Sequence, residues 1–207
     1  MKDLDRILKT GDIILFNGTK SLFDHLIEKV TGTPWSHIGI ILKNPTFIDP
    51  SLNGIYMWES GDENFPDPST GKKTLGVRIS RLKDVYETTK NDNNMYFRRI
   101  TTEEPITNDD LMNIYNVVRN KPYDINIIDW IAAALKINIK RTTKRFWCSA
   151  FVGYIFWYLK YFKDDIDWTI LRPSDFSTGY SPYSFAHCSF LDERKITDDN
   201  IDKICGL

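Results

Sequence analysis

An uncharged and largely apolar run of ten residues, 150–159, constrains the fold of this chain more than any other segment. It is about half as long as the ~20 residues that a membrane-spanning helix needs. A helix that is apolar nearly all round is stable in water only when the rest of the protein covers it. The sequence therefore predicts a core built around one buried helix, which begins near Cys148 and continues to about Phe162.

The other predicted elements follow an order in which strands come first and helices later. Short apolar, β-branched runs predict strands at 11–16, 37–42, 54–58, 75–79 and 95–100, the last two with one face in solvent. Apolar residues at helical spacing predict helices at 21–30, 107–118 and 127–137. A further strand is expected within 183–190. This order favours a segregated α+β domain.

Composition limits both the number of domains and the range of partners. The chain has 207 residues, with 27 basic and 28 acidic side chains and a formal net charge of −1. That length suits a single domain over residues 1–207, with 191–207 as a loose acidic tail. Nucleic-acid binding needs a surplus of Lys and Arg, and no cluster of His and carboxylates has the spacing of metal ligands. We therefore expect no nucleic-acid partner, no metal and no cofactor.

The N-terminal residues and the cysteines indicate the compartment. Residues 1–6 carry acids and lack the apolar stretch of a signal peptide, and no segment is long enough to span a membrane. Three cysteines cannot all pair, which suits a reducing compartment with free thiols. We expect a cytoplasmic protein, with peripheral membrane contact left open.

Cys148 differs from Cys188 and Cys205 because it stands at the start of the predicted buried helix. The positive end of the helix dipole and the unpaired N–H groups of the first turn favour a thiolate there. The same N–H groups could hold an oxyanion formed when the thiolate attacks a carbonyl. The alternative is that Cys148 is a small core residue. Basic residues without an intervening acid precede it: Lys136, Lys140, Arg141, Lys144 and Arg145.

Two further residues could act with this thiol. His37 leads a predicted core strand, and Glu59 follows the apolar part of the next strand, where a partly buried carboxylate needs a partner. If the two strands pair, Glu59 can orient the imidazole as the third member of a triad. Asp62 or Glu63 could take that role if the strand ends elsewhere. The alternatives are an ordinary strand-end histidine and a solvated glutamate.

These motifs occur in a recognisable order: GDII at 11–14, SHIGI at 36–40, Glu59, Tyr123-Asp124 and CSAFV at 148–152. Over residues 10–180 this order resembles the NlpC-type branch of the papain-like cysteine peptidases in circularly permuted form. Members similar to YiiX and YebB, and more distantly lecithin:retinol acyltransferase, place the histidine strand before the cysteine helix, the reverse of papain. The resemblance implies a papain-like α+β fold in which an antiparallel sheet packs against the buried cysteine-bearing helix.

The resemblance also implies a cysteine hydrolase that cleaves an amide or acyl ester bond through a thioester intermediate. By position, Cys148 is the nucleophile, His37 the general base and acid, and Glu59 the residue that orients the ring. Tyr123 matches an aromatic position upstream of the family's cysteine and is a candidate substrate contact. Trp35, Lys144 and Arg145 are further candidates, since a basic and aromatic approach to the cysteine suits an acidic peptide or a lipid headgroup.

The substrate expected from this resemblance is peptide-like or an acyl lipid. A second interpretation, from a different class, is a catalytically silent binding module that keeps the fold and uses the cleft for a ligand or partner. The many Ile, Asn and Lys residues indicate an AT-rich genome. Permuted relatives occur in large DNA viruses, so the expected location is a host cytoplasm or a virion if the source is viral.

Overall fold

A computed structural model of the chain describes residues 7–18, 33–61, 65–92, 94–123 and 143–207. The predicted helices at 21–30 and 127–137 lie outside these described residues. The strands are β1 (Ile13–Asn17), β2 (His37–Lys43), β3 (Ile55–Gly61), β4 (Gly76–Arg81), β5 (Asn94–Arg98), β6 (Ile100–Thr102), β7 (Cys188–Phe190) and β8 (Arg194–Lys195). The helices are α1 (Leu82–Thr89), α2 (Asn108–Val118), α3 (Cys148–Tyr158) and α4 (Ile201–Cys205), with 3-10 turns at Trp168–Ile170 and Pro173–Phe176.

Six strands form one sheet in the order β4-β3-β2-β1-β5-β8, and every neighbouring pair is antiparallel. The two central strands are β2 and β1, and the β-branched and aromatic side chains of β1 suit a strand with neighbours on both sides. Phe16 near the end of β1 lies opposite His37 at the start of β2. This pairing confirms an α+β fold with an antiparallel sheet, and it places the start of β2 at one end of the sheet.

Helix α3 covers one face of the sheet, where it packs against β2 and β3. Gly153 permits a close approach on the other side of the helix, since a Cβ there would lie 2.5 Å from Leu171 Cδ1. The helix ends at Tyr158, earlier than the predicted Phe162, and Lys160 two residues later has a left-handed φ of 58°. The prediction of a sheet packed against a buried, cysteine-bearing helix is confirmed.

The opposite face of the sheet is also covered, by α1 and α4. Here Leu82 and Val85 of α1 pack with Ile14 and Met57 of the sheet. The prediction that β4 and β5 have one face in solvent is therefore wrong for β4, whose first five residues are all buried. Alternating polar residues on a strand do not distinguish a solvated face from a face that pairs buried polar groups.

Residues 191–207 do not form the loose tail that their acidic composition predicts. They contain β8, which pairs with β5, and α4, whose Ile201, Ile204 and Cys205 are buried beneath the sheet. The Leu8 N–H donates to the Ile204 carbonyl over 2.9 Å, which ties the segment to the N-terminal strand region. The apolar residues of α4 lie on one helical face and pack against the sheet, although the other residues of the segment are mostly polar or charged.

Candidate active site

The start of helix α3 is fixed by hydrogen bonds on both sides of Cys148. Ser60 Oγ, on β3, donates to the Phe146 carbonyl over 2.6 Å. Ser149 Oγ donates to the Leu171 carbonyl, also over 2.6 Å. Cys148 is the first residue of the helix and is 4% exposed. The thiol therefore lies in a defined position against the sheet end where β2 begins and β3 finishes.

His37 stands between Cys148 and Glu59. Its Nε2 lies 2.6 Å from Glu59 Oε2, and the edge of its ring packs against Phe16. Cys148 lies close enough to His37 for its charge to act on the ring. Because Nε2 faces the carboxylate, Nδ1 is the ring nitrogen left for the thiol. The side chain of His37 is 23% exposed, so solvent and substrate can reach the pair at the imidazole.

Arg78 forms the far side of this arrangement. It lies opposite Glu59 in the β3–β4 pairing, and its Nη2 is 3.4 Å from Glu59 Oε1. Its Nη1 donates to the Phe65 carbonyl over 3.0 Å, and the side chain is 2% exposed. The Glu59 carboxylate thus lies between His37 and Arg78, with one oxygen near each of them.

The ionisation of the site follows from these contacts. Burial lowers the pKa of His37, but its contacts with Cys148 and the hydrogen bond that the ring donates to Glu59 raise that pKa well above its ordinary value. Burial raises the pKa of Glu59, but its contacts with His37 and Arg78 hold that pKa below its ordinary value. An imidazolium beside a carboxylate is the charge state that these two directions favour.

Sequence reasoning missed Arg78. A single arginine between Val77 and Ile79 follows the alternation of a strand with one solvated face, and that pattern carries no sign of a buried partner. The signal that could have found it is the pairing of β3 with β4, which sets Arg78 directly beside Glu59. The sequence alone does not predict which residues of β3 and β4 lie opposite each other.

Gly61 leaves the space that the Glu59 carboxylate occupies. A Cβ built at position 61 would lie 2.8 Å from Glu59 Oε2, the oxygen that contacts His37. Since Gly61 does not have a left-handed φ, the backbone itself accepts alanine there. Gly61→Ala is therefore expected to displace the carboxylate while leaving the strand intact.

We expect Gly61→Ala to slow acyl transfer by Cys148 at least about tenfold, because displacements of about 1 Å at a reacting group can cost up to 100-fold in rate. The measurement is the acylation rate with an activated ester. Gly39→Ala is the matched control on a neighbouring strand, since its added methyl would meet the flexible Met57 side chain. Equal rates for Gly61→Ala and Gly39→Ala would contradict the prediction.

The candidate substrate contacts lie around the same end of the molecule. Trp35 is buried two residues before His37 and packs edge-on against Tyr96. Tyr123 is half-buried and forms a single bridge with Phe146, two residues before Cys148. Lys144 and Arg145 are exposed on the segment that leads to Cys148. Other residues of the sequence argument lie outside the described part of the chain: Asp62, Glu63, Asp124, Lys136, Lys140 and Arg141.

The two other cysteines have different surroundings. Burial and the charge of Glu103 raise the pKa of Cys188 to about 12, and its Sγ lies 3.9 Å from the Tyr161 carbonyl. Burial and the charge of Asp202 raise the pKa of Cys205 to about 11. Neither has a described histidine partner, since His37 is at the active site and His187 pairs with Glu103. All three cysteines are free thiols.

Among the described residues, no group of three or more His, Cys, Asp or Glu side chains could hold a metal ion. Within the same residues, no helix is both long enough and apolar enough to cross a membrane.

Of three comparisons with known proteins, only the one with solved structures gave a match. No family model matches the chain, and no curated protein matches it. Among solved structures, the metalloprotein YiiX of Escherichia coli O157:H7 matches with a TM-score of 0.48 and 14% sequence identity. The match covers 90% of this chain and 98% of that one. At that level of likeness, the function has to be inferred from the chain's own site.

Proposed function

We propose that the protein is a cysteine hydrolase that acts through Cys148, His37 and Glu59. The observation that carries the proposal is the position of His37, which lies beside Cys148 and whose Nε2 is 2.6 Å from Glu59 Oε2. A nucleophile, a base within hydrogen-bond reach and a third group that orients the base are the recurring parts of such sites. The order of the histidine strand before the cysteine helix supports a circularly permuted NlpC-type, papain-like enzyme.

The first half of the reaction forms a thioester. His37 holds the proton of the Cys148 thiol, and Sγ attacks the substrate carbonyl carbon, so that its oxygen becomes an oxyanion. The backbone N–H of Cys148, at a helix start, supplies one donor to that oxygen. The tetrahedral intermediate collapses with cleavage of the bond to the leaving group, which takes its proton from His37.

The second half releases the acyl group. His37, now neutral, takes a proton from water or another acceptor, which attacks the thioester carbon. The carbon–sulfur bond breaks, and the thiolate and imidazolium are restored. Glu59 keeps Nε2 directed away from the substrate in both halves, and Arg78 keeps Glu59 ionised. The ring therefore uses one nitrogen for every proton transfer.

We propose a peptide-like or acyl-lipid substrate, contacted by Trp35, Tyr123, Lys144 and Arg145. Trp35 offers the most specific support, because its Nε1–H is buried and has no hydrogen-bond partner among the described residues. A buried donor without a partner is costly unless a ligand supplies the acceptor. We place the protein in the cytoplasm, which the three free thiols support.

Trp35→Phe tests this contact because it removes the N–H and keeps an aromatic ring against Tyr96. We expect KM to rise by about two- to tenfold, the range for one neutral hydrogen bond, with kcat changed much less. Steady-state kinetics on a cleaved ester or amide measure the two constants separately. An unchanged KM would remove Trp35 from the substrate site.

The proposed activity itself is tested by trapping the acyl-enzyme. The full chain is mixed with p-nitrophenyl acetate near pH 7, and intact-protein mass spectrometry follows the acetyl adduct. We expect a burst of p-nitrophenolate and one acetyl group, mapped to Cys148 after proteolysis. Cys148→Ala should abolish the burst, whereas Cys188→Ala should retain it. Acetylation spread equally over the three cysteines, with no burst, would rule out the activity.

A further inference from the structure

A cavity lies at the end of β5, away from the candidate active site. Its volume is about 240 Å³, and its walls carry Lys9, Arg99 and Arg194 from three different segments of the chain. Leu191 and Ile100 supply apolar surface between these cations. We propose that this cavity, called the basic pocket below, binds the phosphate monoester of a small apolar compound.

The basic pocket lies at the opposite end of the sheet from His37. In β1, Phe16 pairs with His37 and Ile13 pairs with Arg98, so three residues, about 10 Å, separate the two ends along the strand. The pocket also lies beside β5 and β8, on the other side of β1 from β2. Its lining residues include none that contact Cys148 or His37.

The cations of the basic pocket are available to an anion. Arg99 Nη2 donates to the Ile7 carbonyl over 2.8 Å, a neutral partner that fixes the guanidinium without cancelling its charge. Among the described residues, neither Lys9, Arg99 nor Arg194 forms an ion pair with a carboxylate. Guanidinium groups bind phosphate oxygens in a bidentate geometry, and three cations suit the roughly two negative charges of a phosphate monoester better than the single charge of a carboxylate.

Two acidic groups lie near these cations. Asp192 lines the pocket, and its Oδ1 accepts a hydrogen bond from Thr178 Oγ1 over 3.4 Å. Asp12 is buried, accepts the backbone N–H groups of Lys9 and Ile100 over 2.8 and 2.9 Å, and is attracted by the charges of Arg99 and Lys9. Asp12 therefore joins the two segments that carry Lys9 and Arg99. The lining itself keeps three cations against one carboxylate.

The size and the apolar walls define the rest of the ligand. A volume of about 240 Å³ corresponds to the liquid share of about eight water molecules, more than a phosphate group alone fills. Leu191 is 52% exposed, so its apolar surface is open to a ligand in the pocket. An apolar group attached to the phosphate would cover it and gain from the burial.

The experiment is isothermal titration calorimetry of the full chain with phenyl phosphate at low ionic strength. We expect saturable binding that is stronger than for inorganic phosphate, and none for phenol. Arg194→Gln and Lys9→Gln should each weaken phenyl phosphate binding about tenfold, the loss expected for one charge-assisted hydrogen bond. The matched control is Arg81→Gln, an exposed arginine on β4, which should bind as the wild type does.

Cys148→Ala separates this proposal from the proposed hydrolase, since that variant should bind phenyl phosphate with unchanged affinity. Saturable binding that Cys148→Ala abolishes and Arg194→Gln retains would place the ligand at the active site and overturn the basic pocket. Absence of saturable heat from the wild type would overturn it as well. Equal affinity for inorganic phosphate and phenyl phosphate would show that the apolar walls play no part and would overturn the assignment to an ester.

Discussion

His37→Asn is expected to lower the rate of Cys148 acylation by about 10²- to 10⁴-fold, the range that a positioned general base contributes. The buried Glu59 carboxylate keeps Arg78 as its ionic partner, because asparagine ends near the position of Nδ1 and does not reach it. Asparagine has no nitrogen that exchanges a proton near neutral pH. The loss should therefore fall on the chemistry and leave the fold intact, as checked by thermal unfolding.

The control for this change is His187→Asn. His187 pairs with Glu103 in an exposed position, and its φ of 57° is one that asparagine tolerates. Its acylation rate should equal that of the wild type. The prediction fails if His37→Asn acylates as fast as the wild type, or if both variants lose activity to the same extent.

Arg78→Met is expected to destabilise the protein by about 3 kcal/mol at pH 7, because it removes one of the two cationic partners of the buried Glu59 carboxylate together with a hydrogen bond to the Phe65 carbonyl. The side chains of Arg78 and Glu59 are 2% and 6% exposed, so water cannot replace the lost contact. Urea unfolding measures the difference. Arg81→Met is the control, since Arg81 is exposed and lies over the Tyr56 ring, and it should cost less than about 1 kcal/mol.

The cost of Arg78→Met should depend on pH in a defined direction. The pKa of Glu59 is lowered in the folded protein, so its ionised contacts contribute stability above the unfolded pKa near 4.5 and lose it as pH falls through the folded value. Wild type and Arg78→Met should therefore converge in stability at low pH. A difference that stays constant from pH 7 to pH 3 would show that Arg78 acts through packing alone.

The sheet and the cysteine helix could be predicted from the sequence because their signals are local. β-branched runs mark β1 and β2, and an apolar run marks α3. The sequence did not predict that α1 covers the second face of the sheet. Its Leu82, Val85 and Tyr86 have helical spacing, but the helix is only eight residues long, which is too short for a clear pattern. Likewise α4 could not be predicted, because it lies in an acidic segment and its few apolar residues are buried only by packing against the sheet.

The residues of the candidate site also differ in how far the sequence predicts them. His37, Glu59 and Cys148 each stand at the end of an element with a clear pattern, so they could be named as candidates. Their meeting depends on the antiparallel pairing of β2 with β3 and on the packing of α3 across both strands. Arg78 depends on one further pairing, β3 with β4, and has no distinguishing pattern of its own.

The most direct test of the account is the rate of iodoacetamide labelling of each cysteine at pH 7, followed by peptide mass spectrometry. Cys188 is more exposed than Cys148, so exposure alone predicts faster labelling of Cys188. We expect Cys148 to be labelled faster than Cys188. Cys148 should react at least about 100-fold faster, because the proposed proton transfer to His37 activates its sulfur, whereas burial raises the pKa of Cys188 to about 12. Labelling that follows exposure, or equal rates at all three thiols, would contradict the proposed Cys148–His37 pair.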